Sequence, residues 1–293
     1  MKLESHPSAE TLRKRALLAV VFTATAWSTS GLLIKLVPWN AIAIAGVRSL
    51  IAALVLLGYL RRPHFTWSRI QLGTALAYAG TLLSFVAANK LTTSANAIFL
   101  QYLSPVWVAL LGIWLLHERP RSAEWGIIVV VVAGMALFFV DRLSPRGLAG
   151  NLVAIASGMF FALFIVLMRK QREGSPLESM LLGHFITALV SIPFWFFGSP
   201  PGATGWFALA ALGIFQIGVT SITFSFAVKH VTALGVAIIT LIEPVLNPVW
   251  VFLFVGEVPS TAVIAGGTII LSMVALRSIL VVRYARQEGK PAA

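Results

Sequence analysis

The chain has 293 residues, 58% of them hydrophobic and only 11% charged, and a formal net charge of +12. A soluble domain needs a polar exterior, and there is too little polar sequence to cover one, so lipid must solvate most of the surface. The positive charge does not point to nucleic acid, because the basic residues gather at the ends of apolar stretches, and the absence of cysteine excludes metal–thiolate chemistry.

Apolar segments long enough to cross a bilayer follow one another at 16–37, 41–59, 70–88, 94–116, 124–140, 148–168, 178–198, 204–228, 232–255 and 261–282. Each predicts a helix, because lipid offers the backbone no partner outside its own segment. A transmembrane barrel would instead show alternating segments of roughly 10 residues. The fold class is therefore an all-α integral membrane protein with ten transmembrane helices. Residues 1–15 and 285–293 are polar and are expected to form tails. Ala24-Thr25-Ala26 matches a signal-peptidase site, but the apolar run around it continues to Val37 and is too long for a leader.

Ten spans put both termini on one side. Sixteen Lys and Arg residues flank the spans there, against four on the other side (Lys35, Lys90, Arg142 and Arg146), while Arg48 and Arg277 fall inside spans. That bias predicts cytoplasmic termini.

One block of the chain recurs 139 residues later: Lys90, Thr93, Pro105, Glu118 and Pro120 return without a gap as Lys229, Thr232, Pro244, Glu257 and Pro259. Apolar matches between membrane segments mean little, but matched Lys, Pro and Glu at one offset mark a duplication. The halves divide as 16–143 and 144–284. Five spans per half is an odd number, so the second half enters from the opposite side. The halves are expected to be inverted repeats related by an axis in the membrane plane. A site between such halves can open to either side by equivalent movements, which is the logic of alternating access.

Equivalent helices carry polar residues on equivalent faces. Thr240, Glu243 and Asn247 share one face of the ninth helix, and Gln101, Ser104 and Val108 hold the matching positions of the fourth. Gln216, Thr220 and Thr223 form a stripe in the eighth, matched by Ala77, Thr81 and Ser84 in the third. Polar side chains at mid-membrane face protein or water. Two readings stay open: a substrate cavity bounded by helices three, four, eight and nine, or interhelical hydrogen bonding without a cavity. Tyr78, Thr81 and Phe85 share a face and suit a cavity wall, and Trp27 and Phe161 are further candidates. Tyr102 lies roughly opposite Ser104 on its helix, so the two are not expected to line one wall equally.

Glu243 is the only carboxylate well inside a span. It either senses protons, meets an amino group of a substrate, or partners backbone freed by Pro244 or a basic side chain. Arg48 either holds a carboxylate, for which its fork is well shaped, or snorkels and braces helix ends. His184 is either a satisfied core histidine or a proton relay. Pro105, Pro244 and Pro248 lie within helices and are expected to act as kinks or hinges. Glu118 and Glu257 precede prolines or near-prolines in short loops and are expected to cap or lock helix ends.

No P-loop, G-x-G-x-x-G, H-E-x-x-H or G-x-S-x-G occurs. ATP hydrolysis by this chain is excluded, and no cofactor, metal or catalytic residue is expected. A membrane-embedded enzyme is the rival reading, with His184 and Glu243 as its one weak acid–base pair.

The pattern resembles the drug/metabolite transporter superfamily, specifically its EamA-type members. The residues that carry the likeness are Trp27-Ser28 and Lys35, Arg48, Ser104-Pro105 with Glu118-Arg119-Pro120, and Glu243-Pro244 with Glu257-Val258-Pro259. It runs from about Ala16 to Tyr284. Ser28 stands where the family usually has Gly, and His117-Glu118 where Gly-Glu is common, while Gly256-Glu257 keeps the pattern. Within the superfamily the chain is most similar to bacterial aromatic amino acid exporters of the YddG type. The resemblance implies a multi-pass protein of the bacterial cell inner membrane, active as a monomer, whose partners are the lipid bilayer and a small-molecule substrate. That substrate would be an aromatic or other neutral amino acid; the alternative is export of cationic drugs such as methyl viologen, or of another metabolite.

Overall fold

The computed structural model describes residues 9–92, 94–141, 147–256 and 258–287. Ten helices among them are long and apolar enough to cross a membrane, at the places the sequence predicts. The first span is α1 (Ala9–Ser28) continued by α2 (Ser30–Lys35), the second α3 (Ala41–Leu60) and the third α4 (Arg69–Leu91). The fourth is two pieces, α5 (Ser94–Gln101) and α6 (Ser104–Leu115), and the fifth is α7 (Ser122–Phe139). The sixth is α8 (Leu148–Lys170), and the seventh is α9 (Pro176–Ser191) with a closing 3-10 segment over Ile192–Phe196. The eighth joins α10 (Ala203–Ala211) to α11 (Thr220–His230) through a π-helical stretch, Leu212–Val219. The ninth is again two pieces, α12 (Ala233–Ile239) and α13 (Ile242–Val255), and the tenth is α14 (Thr261–Gln287). Side chains start several of them: Asn40 accepts from Ala43 N at 2.8 Å, Ser68 from Gln71 N at 3.2 Å and Thr232 from Gly235 N at 3.2 Å.

Two expectations change. The first helix begins at Ala9, so residues 9–15 are helix rather than tail, and α14 extends to Gln287. Glu10 and Lys14 form an i,i+4 pair at 2.8 Å that supports the polar first turns of α1. The other correction concerns the fourth and ninth spans, which are broken rather than kinked. Pro105 and Pro244 lie in the first turn of the piece after each break, where a missing N–H removes no hydrogen bond. Pro248 lies inside α13 as expected of an interior proline. Residues 1–8 and 288–293, Thr93, Arg142, Arg146 and Glu257 lie outside the described residues, as do the side chains of Lys35 and Lys90.

The packing exchanges partners between halves. Helix α8 lies against α4, α5 and α6, and α1 lies correspondingly against α11 and α13. Helix α4 packs on α9, and the π-helical stretch packs on α3 in the matching relation. The equivalent helices α3 and α9 pair with each other, as do α7 and α14. The largest buried cluster draws on both halves, from Ala16 and Val20 through Phe161 and Phe164 to Phe224 and Val245. Neither half has a core of its own, so the duplication is an assembly unit rather than two domains.

The break in the fourth span depends on one close approach. Gly158 of α8 sits against the backbone at that break; a Cβ there would lie 2.9 Å from Gln101 O and 3.0 Å from Leu100 O. Backbone cannot give way as a side chain end does. Gly158→Val is therefore expected to lower the stability of the purified protein by about 1–3 kcal/mol. At Gly58 an added carbon meets nothing within 4 Å, so Gly58→Ala should be neutral or stabilising. Thermal unfolding in detergent compares the two, and equal losses would contradict this packing.

Candidate functional site

The two helix breaks, one from each half, meet in the middle of the molecule. Tyr102 occupies the break between α5 and α6 and donates its phenol hydrogen to the Glu243 carboxylate in the first turn of α13. Tyr102 N still bonds Ile98 O at 3.0 Å, so Tyr102 continues the winding of α5 as it reaches Glu243. Glu243 also benefits from its position, because a helix N-terminus favours negative charge. Among the described residues no basic side chain forms an ion pair with Glu243.

An aromatic frame surrounds this junction. Phe161 meets Tyr102 edge-on at 6.5 Å and Trp27 at 6.2 Å. Trp27 packs on Phe224 at 5.4 Å, Phe224 stacks on Phe164 at 5.5 Å, and Phe164 stacks on Tyr78 at 4.6 Å. His184 completes the run with its ring edge against Tyr78 at 5.0 Å. Each step crosses from one span to another, and aromatic pairs of this kind are each worth about 0.5–1.5 kcal/mol beyond their buried area. Phe85 also packs against a smaller cluster of Ala88, Ala97 and Ala154.

The polar stripes divide into two sorts. Most hydroxyls are satisfied by their own helix: Thr81 donates to Ala77 O at 2.8 Å, Thr220 to Gln216 O at 2.6 Å and Thr240 to Ala237 O at 2.9 Å. Some bonds tie spans together, as Trp27 Nε1 to Thr220 Oγ1 at 3.0 Å, Thr23 with Thr223 at 2.7 Å and Gln101 Nε2 to Ser157 Oγ at 3.0 Å. Others are buried and unpartnered: Ser104 Oγ, Trp107 Nε1, Gln216 Oε1, His184 Nδ1 and Arg48 Nε. His184 is fully buried, its Nε2 within 3.4 Å of the Tyr78 hydroxyl and 3.3 Å of Ser221 Oγ. Among the described residues its hydrogen-bond partners, Tyr78 and Ser221, differ from that of Glu243, Tyr102.

The end of the molecule where the termini lie is closed by ion pairs between halves. Glu118, after α6, pairs with Arg169 at the end of α8 at 3.1 Å and accepts from Ala233 N at the start of α12. Arg169 also donates to Val228 O at 3.1 Å and Lys229 O at 2.8 Å. Glu124 of α7 pairs with Arg277 of α14 at 2.8 Å, and Arg277 reaches the Thr232 hydroxyl at 3.0 Å. Glu118 does lock helix ends, as the sequence suggests, but those of the opposite half. On this face α6 packs against α12. Among the described residues no comparable packing joins their counterparts α5 and α13 at the other face. The junction of Tyr102 and Glu243 thus lies behind a seal on the side of the termini.

Comparison with known proteins agrees with this architecture. A sequence model described as the EamA-like transporter family matches the chain twice, over residues 14–140 and 148–279. The pseudopaline exporter CntI of Pseudomonas aeruginosa is 28% identical over 89% of this chain and 94% of its own length. The aromatic amino acid exporter YddG of Ancylobacter novellus is 25% identical over 79% of this chain and 84% of its own. A solved crystal structure superposes with a TM-score of 0.79 over 92% of this chain and 98% of its own at 22% identity, a likeness of fold.

The Arg169 side chain is 4% exposed, whereas Arg172 pairs with Glu173 at 3.8 Å with 45% and 89% exposure. Arg169→Gln leaves Glu118 and two carbonyls without their donor. It is expected to lower stability by about 3 kcal/mol, near the lower end for a broken buried pair because Glu118 keeps some water. Arg172→Gln should change it by less than about 1 kcal/mol. Unfolding of both variants in one detergent checks this; a similar loss for the two would contradict it.

Proposed function

The chain belongs to the EamA-like transporter family, and from that premise we propose that it is a secondary exporter of amino acids, aromatic and other neutral ones, that works by alternating access of inverted halves. Export is named for two of the relatives, one of them an aromatic amino acid exporter. In this reading the protein sits in a bacterial inner membrane with both termini in the cytoplasm, on the sealed side, and acts as a monomer.

The observation that carries the proposal is the bond between Tyr102 and Glu243, which ties the broken helix of one half to that of the other. A substrate ammonium group is a stronger donor to the carboxylate than a phenol is. On binding it takes Glu243 from Tyr102 and releases the tie between the halves. An apolar side chain then packs against Trp27 and Phe161. The breaks at Pro105 and Pro244, with the interior Pro248, let the pieces of the fourth and ninth spans move separately. Thr81, Gln101, Ser104, Gln216, Thr220 and Thr240 supply the polar part of the wall.

A second reading draws on the same groups. A lone carboxylate among aromatic faces also suits an organic cation, so export of a drug such as methyl viologen is the alternative.

Flux of radiolabelled phenylalanine, threonine and methionine into proteoliposomes separates the readings. The proposal expects protein-dependent flux of these amino acids. Removing one charge-assisted hydrogen bond, worth about 1.5–3 kcal/mol, should slow it at least roughly tenfold in Glu243→Gln. Absence of amino acid flux, together with protection of cells from methyl viologen but not from toxic amino acid analogues, would overturn it in favour of the second reading.

A further inference from the structure

Three arginines are buried among the described residues, and they are treated differently. Arg169 and Arg277, 4% and 5% exposed, each hold a carboxylate, from Glu118 and Glu124. Arg277 and Arg48 both leave Nε buried without a partner, but Arg48, 8% exposed, has no ion pair or hydrogen bond at all among the described residues. Breaking a buried pair by removing one partner costs about 3–5 kcal/mol, so a buried guanidinium with no ion pair among the described residues stands to gain from an anion brought by a ligand.

The position of Arg48 says where that anion enters. It lies on α3, which packs against α4, α9 and the π-helical stretch, so the guanidinium is enclosed by spans of both halves. Helix α3 is held close to the π-helical stretch at this level: a Cβ on Gly213 would lie 3.0 Å from Arg48 O. One turn further on, Gln216 leaves Oε1 buried and unpartnered. Tyr78 and Ser221 meet His184 through Nε2, and among the described residues His184 Nδ1 has no partner.

We propose that Arg48 recognises a carboxylate of the transported molecule, so that the site selects carboxylate-bearing substrates over amines and organic dications. The guanidinium takes the carboxylate and Glu243 takes the ammonium group, and a zwitterion of net zero charge completes an interior that holds one fixed charge of each sign. The assignment rests on the transport reading above and sharpens it, since it favours amino acids over methyl viologen.

The test compares phenylalanine, phenethylamine, which lacks the carboxylate, and 3-phenylpropionate, which lacks the amine, as competitors of phenylalanine counterflow and as stabilisers of the purified protein against heat. In the parent protein phenylalanine should bind at least tenfold more tightly than phenethylamine. Arg48→Gln should erase that difference and Arg48→Lys should keep part of it, with Glu243 unchanged in both. The parent comparison needs no variant, so a folding failure of Arg48→Gln does not shield the proposal. Equal effects of phenylalanine and phenethylamine on the parent, or discrimination that survives Arg48→Gln, would overturn it while leaving amino acid export standing. If phenylalanine neither moves nor binds but 3-phenylpropionate binds in an Arg48-dependent way, the amino acid reading falls and the carboxylate assignment holds.

Discussion

A hydrogen bond between Tyr102 and Glu243 joins two membrane helices that are each broken at the same point of a repeated design. An intact ninth helix would deprive Glu243 of a helix N-terminus. Each break frees carbonyls that lipid cannot satisfy, so broken helices must be enclosed by others, and α8 closes on the first of them through Gly158. The aromatic frame from Trp27 to His184 follows from the same need, because it fills the space around irregular backbone without bringing polar groups that would themselves want partners.

The two faces of the molecule differ in how they join the halves. On the side of the termini, α6 meets α12, and Glu118, Arg169, Glu124 and Arg277 pair across the halves. These bonds are charge-assisted and partly dry, and they reach the backbone ends of α11 and α12 as well as each other. The seal is therefore built from groups that gain little from an apolar environment and become well hydrated if they part. Such a seal is suited to opening. The interior is built the other way: among the described residues Arg48 and Glu243 form no ion pair, and both stand to gain from a ligand.

Much of the fold was legible because lipid imposes simple rules. Length and apolarity placed ten spans, and the constant offset of Pro105 and Pro244 placed equivalent halves. Glu243 and Arg48 stood out as charges in the wrong solvent. The bond from Tyr102 to Glu243 joins distant parts of the chain, which no local pattern records. The breaks themselves did leave a signal: a proline lacks the N–H that would bond four residues back, and Pro105 and Pro244 fall at the same place in each half. The union of Tyr78, His184 and Ser221, drawn from three spans, leaves no trace in local sequence. Nor does the choice of Thr81 and Thr240 to bond their own helices, since a threonine stripe reads the same whether it faces a cavity or its own backbone.

The central claim is that the halves close alternately around the Tyr102–Glu243 junction. The chain has no cysteine, so spin labels can be placed without background, one pair at Arg119→Cys and Lys229→Cys on the sealed face and another at Leu91→Cys and Val258→Cys on the opposite face. Distance distributions for both pairs are measured in the parent and in Arg169→Gln, which weakens the seal. The account predicts reciprocal change: distances lengthen on the sealed face and shorten on the other. Distances that stay fixed on both faces, or lengthen together, would contradict it.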